Sequence, residues 1–173
     1  MVSGRVLAGT ETGQRRVRLQ TQSSATILTS GLHWQEMAVG ARFLTGGRTI
    51  LTSEIRAFVN LAGMIEPLFT NRDRAQDDAL HGDVCPGAYV LSVAEGLVLN
   101  ATVRDTGLAL LSLDSRFRAP TRAGDTIAVE IEVTACRGES NGSRGIVTTR
   151  NTVRKTNGVV VLDYDVTRMV AGR

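Results

Sequence analysis

Aromatic residues make up only 4% of this chain, with a single tryptophan, and lysine occurs once, at Lys155. Few aromatics leave little to stack on bases, and the basic residues are scattered rather than striped, so nucleic-acid binding is not expected. There are two cysteines, Cys85 and Cys136, and two histidines, His33 and His81. The four have no zinc-ligand spacing, so no metal is expected. Two distant thiols give no disulfide framework and are expected to be reduced. No apolar run approaches the roughly 18–20 residues that span a bilayer. The first twenty residues hold no continuous apolar stretch of the kind a secretory signal needs. The expectation is a cytoplasmic protein with no membrane partner.

What is present suits one buried core. The chain has 173 residues, 42% of them hydrophobic, and a net charge of +3. That length fits one domain. Nearly every basic residue is an arginine. Genome composition explains such a bias; contact with a phosphate-bearing ligand would also favour guanidinium.

Residues 1–31 are rich in Ser, Thr, Gln, Gly and Arg and read as a partly disordered extension, with SSATILTSG hinting at a short strand. The domain is expected over 32–173. A turn at Val39-Gly40 leads into a short strand near Phe43 to Ile50. Thr52 or Ser53 can cap a helix carrying Ile55, Phe58, Val59 and Ala62 on one face, and Gly63 stops it. Residues 63–86 form a long irregular loop, of a length that is usually functional. Pro86-Gly87 opens a second helix, apolar nearly all round and so expected to be buried, with Ser92, Glu95 and Asn100 as polar exceptions.

The remainder alternates with period two. Leu111, Leu113, Ser115 and Phe117 form one set; Ile127 through Ala135, Val147 through Val153, and Leu162, Tyr164 and Val166 form the others. This pattern predicts antiparallel strands covered on one side, with Asn157-Gly158 as a tight hairpin turn and RGESNGSRG as a looser one. One buried helix wrapped by one curved sheet is an α+β hotdog arrangement.

Three segments then carry a family resemblance. TSEIRAFVNLAG with GMIEPLF is similar to the hydratase signature S-G-D-x-N-P-(L/I)-H. GDVCPGAYVLSVAEGL is similar to the entry into the family's central helix, and LLSLDSRFRAPTRAGDTIAVEIEV to its strand pair. Together, over residues 34–170, the chain resembles the MaoC-like dehydratase or (R)-specific enoyl-CoA hydratase family. The resemblance implies an acyl-CoA or acyl-carrier thioester as substrate, no separate cofactor, and a dimer with sites near the subunit interface. It also implies an Asp–His pair that adds water across a 2-enoyl double bond or removes it. A base must take a proton from water while an acid protonates the α carbon. Backbone amides of Gly87 and Ala88 would stabilise the thioester oxygen.

The motif departs where the chemistry lies. Met64 stands at the family's Asp position, Glu66 at its Asn and Phe69 at its His. Neither Met nor Phe moves a proton. Glu66 in an apolar pocket would be a base, or else is a solvated loop residue. His81, near Asp83, would be a general acid–base, or else a surface pair. Ser92 falls where the family keeps a thioester-lining serine, or else bonds back to its own helix. Glu95, a carboxylate on a buried helix, must be paired or used: it supports a thioesterase reading, or an ion pair with an arginine. Cys85 lies near the same site, or is a small buried hydrophobe. Three readings follow: a hydratase or dehydratase using an acid–base pair drawn from Glu66, His81 and Asp83; a hotdog thioesterase using Glu95, with Ser92 as a second candidate; and a non-catalytic subunit, homodimeric or paired with an active hotdog chain.

Overall fold

The computed structural model describes residues 31–70 and 84–173. The expected extension therefore lies, but for Gly31, outside the described residues. Six strands form one antiparallel sheet: β1 (Arg42–Leu44), β2 (Arg48–Thr49), β3 (Gly107–Phe117), β4 (Thr126–Gly138), β5 (Arg144–Lys155) and β6 (Val160–Ala171). Their order is β1-β4-β5-β6-β3, with β2 also on β4. The helices are α1 (Thr52–Ala62), a single turn α2 (Pro67–Thr70) and the central α3 (Gly87–Thr102); a 3-10 turn covers Trp34–Glu36.

Alternation builds the core. Ile127, Val129, Ile131 and Val133 of β4 are all buried, and Val153, Leu162 and Val166 continue the layer on β5 and β6. Against it lie Val90, Val93, Ala94 and Val98 of α3 and Ile55 and Val59 of α1. Each such side chain contributes about 1.5–3 kcal/mol when fully buried, so a one-residue slip of β4 would forfeit the whole row. The alternation stops one step short of its expected end. The β4–β5 register shifts between Val133 and Ala135, so Ala135 is exposed and Cys136 instead packs on a second cluster around Met37 and Val147. An extra residue in one strand reverses every side chain beyond it.

Other expectations are adjusted by local hydrogen bonding. The anticipated strand from Phe43 to Ile50 is two pieces, β1 and β2, separated by Thr45-Gly46-Gly47. Leu51, not Thr52 or Ser53, holds the N-cap position of α1. The Glu54 carboxylate takes its amide proton at 3.1 Å and is held by Arg48 at 2.6 Å, so an acid three residues on does the capping work. Gly63 ends the helix in the left-handed region, at φ 65°. Gly158, at φ 86°, turns β5 into β6, as Asn-Gly requires.

The largest departure concerns α3. It is buried on one side only: Ala88, Ser92, Leu99 and Asn100 are exposed. The helix packs chiefly over β4 and β1, at one end of the strand order. The far edge strand β3 is consequently exposed along most of its length, with Leu108, Leu110, Leu111 and Phe117 each at least half exposed.

Trp34 closes the opposite end of the sheet. Its indole donates to the Gly142 carbonyl at 3.1 Å. A Cβ on Gly138 would come within 2.4 Å of the ring, and one on Gly145 within 2.6 Å. Glycine is required at both because indole and backbone are already in contact. Gly138→Ala or Gly145→Ala is expected to cost about 1–3 kcal/mol through overpacking. Thermal melts would show a lower Tm, and the emission of the single tryptophan would shift to the red as Trp34 is displaced. Unchanged melting and emission in both variants would refute the contact.

Candidate functional site

The loop after α1 contains the substituted motif. Met64 and Phe69 are half-buried and pack against the main core. They serve as anchors for the loop, in keeping with their apolar side chains. Glu66 is exposed, and its backbone carbonyl accepts from the amides of Phe69 at 2.9 Å and Thr70 at 3.1 Å. Glu66 thus begins α2 through its main chain while its carboxylate faces solvent, not an apolar pocket. His81 and Asp83 lie outside the described residues. Among the described residues, no group of three or more His, Cys, Asp or Glu is placed to hold a metal, and no helix is long and apolar enough to cross a membrane.

The start of α3 has a more defined geometry. Val84 bridges to Arg122 and the Cys85 amide donates to Thr121 at 2.8 Å, which ties the helix entry to the segment after β3. Pro86 occupies the N-cap position, and its carbonyl takes the amides of Tyr89 and Val90. Gly87 and Ala88 are the first two helical residues, whose N–H groups an α-helix leaves without an internal acceptor. Gly87 borders an open cleft of about 570 Å³, also lined by Cys85, Val90, Phe117, Arg118 and Pro120. A Cβ on residue 87 would meet the Phe117 ring at 2.9 Å. Glycine there lets the aromatic wall approach the helix end. Two outward amides at the positive end of a sixteen-residue helix suit an oxygen that carries or gains negative charge.

Cys85 is not a nucleophile in this setting. Burial, with smaller pushes from Asp125 and Glu54, raises its thiol from 9.0 to about 12. Tyr89, which stacks at 5.2 Å on Phe58, is likewise raised to about 12, by burial and then by its hydrogen bond to Glu54.

Ser92 donates to the Ala88 carbonyl at 2.8 Å, which is the bond back to its own helix. Glu95 is paired with Arg168 of β6, and both side chains are mostly buried. Around the pair lie further polar groups on the inner face of the sheet. Asn151 is fully buried, Tyr164 is 2% exposed and Thr149 3% exposed, and Asn151 sits directly across from Tyr164 in the β5–β6 ladder. No described protein group hydrogen-bonds the Asn151 amide or the Thr149 hydroxyl, whereas the Tyr164 phenol is hydrogen-bonded to Glu95 and Arg168. Burial and the adjoining Glu95 carboxylate push the Tyr164 phenol upward, so it stays a donor. Arg168 and the polar role of these residues were missed in the sequence. The signal existed: Thr149 and Asn151 interrupt the apolar row of β5, and the β6 alternation carried one step past Val166 puts an arginine inside.

Four other arginines form pairs across the sheet on its solvent face. Arg42 pairs with Glu132 at 3.0 Å, Arg154 with Glu130 at 3.3 Å, Arg150 with Asp165 at 3.2 Å and Arg118 with Asp163 at 3.0 Å. Opposite charges on neighbouring strands hold that face together at about 0.2–1 kcal/mol per pair.

Two measurements follow. Below pH 9 Cys85 is protonated both folded and unfolded. Between 9 and about 12 only the unfolded thiol ionises, so stability must fall as pH rises through that window, with Tyr89 adding to the loss above pH 10. Alkaline titration should show this steepening, and Cys85→Ser should reduce it. Removing one member of the buried pair, by Glu95→Ala, should cost about 3–5 kcal/mol by stranding the guanidinium. Glu95→Leu combined with Arg168→Met should cost much less in the same denaturant melts; equal losses would mean the pair is not coupled.

The chain's similarities agree with this architecture. Residues 35–155 match the MaoC like domain model. An (R)-specific enoyl-CoA hydratase of Rhodospirillum rubrum is 28% identical over 142 residues, 82% of this chain and 94% of that protein. A MaoC domain protein of Chloroflexus aurantiacus superposes with a TM-score of 0.80 at 22% identity, covering 86% of this chain but 43% of that one. The truncated HadBC (3R-hydroxyacyl-ACP dehydratase) complex of Mycobacterium tuberculosis superposes at 0.61 and 19% identity, over 77% of this chain and 98% of that chain. The two structures share the hotdog fold with it. With residues 35–155 matching its model, this chain belongs to the MaoC-like domain family.

Proposed function

We propose that this protein binds an acyl-CoA or acyl-carrier thioester at the start of α3 and forms the non-catalytic half of a hydratase-type hotdog pair. The observation that carries the reading is the pairing of two opposite features at one place. The amide-bearing helix end at Gly87 and Ala88 opens on a cleft, whereas the motif positions that would move protons are the core-packed Met64 and Phe69. Binding machinery is kept and acid–base machinery is not. The thioester carbonyl would take the two amides, with Phe117 and Val90 against the apolar part of the ligand.

The partner is a second hotdog chain. The edge strand β3 exposes Leu108, Leu110, Leu111 and Phe117, and a long edge strand with no outer neighbour among the described residues invites a strand from another chain. A homodimer would bury the same surface but bring no acid or base at the motif positions. An active partner would. The resemblance to half of the longer Chloroflexus protein and to the HadBC complex supports that arrangement.

The thioesterase reading is disfavoured, because Glu95 is engaged by Arg168 and Ser92 by its own helix. The reading in which Glu66, His81 and Asp83 supply a relocated acid–base set differs in a testable way. Full-length protein mixed with a 2-enoyl-CoA is expected to bind it without loss of the enoyl absorbance. Hydration should appear only on adding a hotdog partner with an intact Asp–His motif. Hydration by the isolated protein, abolished by Glu66→Gln or His81→Ala, would replace this reading with the relocated set. Replacing Gly87 by Val should weaken thioester binding by tenfold or more, on the order of 1.4 kcal/mol, since Phe117 must move.

A further inference from the structure

Followed backward from β1, the chain crosses the ends of the strands in sheet order. The Gly40 amide donates to Val133 of β4 at 2.8 Å. The Trp34 ring covers Gly138 and Gly145, where β4 turns into β5, and a Cβ on Gly172, just past β6, would meet its nitrogen at 2.8 Å. The Leu32 carbonyl accepts the Thr106 hydroxyl at 2.8 Å, and the Gly31 amide donates to Arg104 at 2.7 Å. Thr106 is the residue before β3. A Cβ on Gly31 would clash with the Arg104 backbone, so the chain is pressed onto the turn that starts β3. Having passed the ends of β4, β5 and β6, it brings the residues before Gly31 to the beginning of β3.

β3 is the strand with room for them. Among the described residues it has β6 on one side and no strand on the other, and Leu108, Leu110 and Leu111 are each at least half exposed. Its charges are already matched, since Arg116 pairs with Asp114 at 3.0 Å. Such an edge accepts an uncharged segment without proline, which can donate its amides to the ladder. Residues 19–30, LQTQSSATILTS, contain neither a charge nor a proline. Thr26 and Ile27 among them are good strand formers, and Ala25 and Leu28 add apolar contact. At about 3.3 Å per residue these twelve residues reach about 40 Å, and the eleven of β3 about 36 Å. The segment is long enough for the whole edge. Running toward Gly31, it would lie antiparallel to β3, like every other pair in the sheet.

We propose that residues 19–30 pair with the free edge of β3 as an added antiparallel strand of the same chain. The tether at Gly31 makes the contact intramolecular, with an effective concentration on the order of millimolar. A hotdog partner on that edge has to displace the segment, so the segment sets when the edge is open. The pairing itself is independent of the thioester reading; only the displacement rests on the partner reading.

The test is residue-resolved amide exchange by NMR on the full-length protein, at dilutions where sedimentation shows a monomer. The β3 amides that point away from β6 should exchange about tenfold slower or more than the same amides in Thr26→Pro or Ile27→Pro. Two adjacent prolines are needed because amides along a strand face alternate sides, and only one of the pair faces β3. Val6→Pro, upstream of the segment, should leave the exchange unchanged. The β3 amides bonded to β6 should stay protected in every variant, which shows the sheet intact. Fast exchange of the outward amides in the unaltered protein overturns the proposal, because the edge is then bare. Protection that both prolines leave intact also overturns it. So does protection that appears only as the concentration rises, which is the mark of a second copy. Absence of hydration on adding a hotdog partner would count against the partner reading and leave this exchange pattern as it stands.

Discussion

One packing constraint governs the structure: a single apolar helix rests on a sheet wider than itself. α3 sits toward β4 and β1, and the four long strands continue past it. Everything at the far edge follows. Among the described residues β3 has a strand neighbour on one side only, and only Leu113 and Ser115 along it are half-buried. The free side of α3 keeps Ser92 and Leu99 in the open. Water is a poor neighbour for both surfaces, and a second chain is the natural cover.

The same constraint arranges the polar chemistry. On the outer face of the sheet, exposed to solvent, charges alternate in sign from strand to strand and pair across the ladders. There they are inexpensive and contribute modestly. On the inner face, polar residues have to justify their desolvation, and those of β5 and β6 gather under the one helical carboxylate. The Glu95–Arg168 pair is therefore different in kind from the four cross-strand arginine pairs outside. It neutralises two buried charges and, in doing so, leaves a neutral polar floor in a mostly aliphatic core.

The altered motif fits this picture. The loop after α1 is drawn onto the core by Met64 and Phe69, and Glu66 between them is left facing solvent. The helix end opposite keeps its glycine, because Phe117 occupies the space a side chain would need.

Local signals in the sequence marked the four long strands, α1, α3 and their order, because period-two and helical spacing, Gly63, Pro86-Gly87 and Asn157-Gly158 have local causes. It also identified Glu95 as a residue needing a partner, since a carboxylate among apolar helical neighbours is costly wherever the helix lies. Only the tertiary structure decided that the partner is Arg168, seventy-three residues away, that Asn151 and Tyr164 face each other across a ladder, and that α3 is covered on one side alone. These depend on strand register, on the β4 bulge and on where the helix sits across the sheet. Such properties arise from contacts between distant segments, and no window of neighbouring residues encodes them.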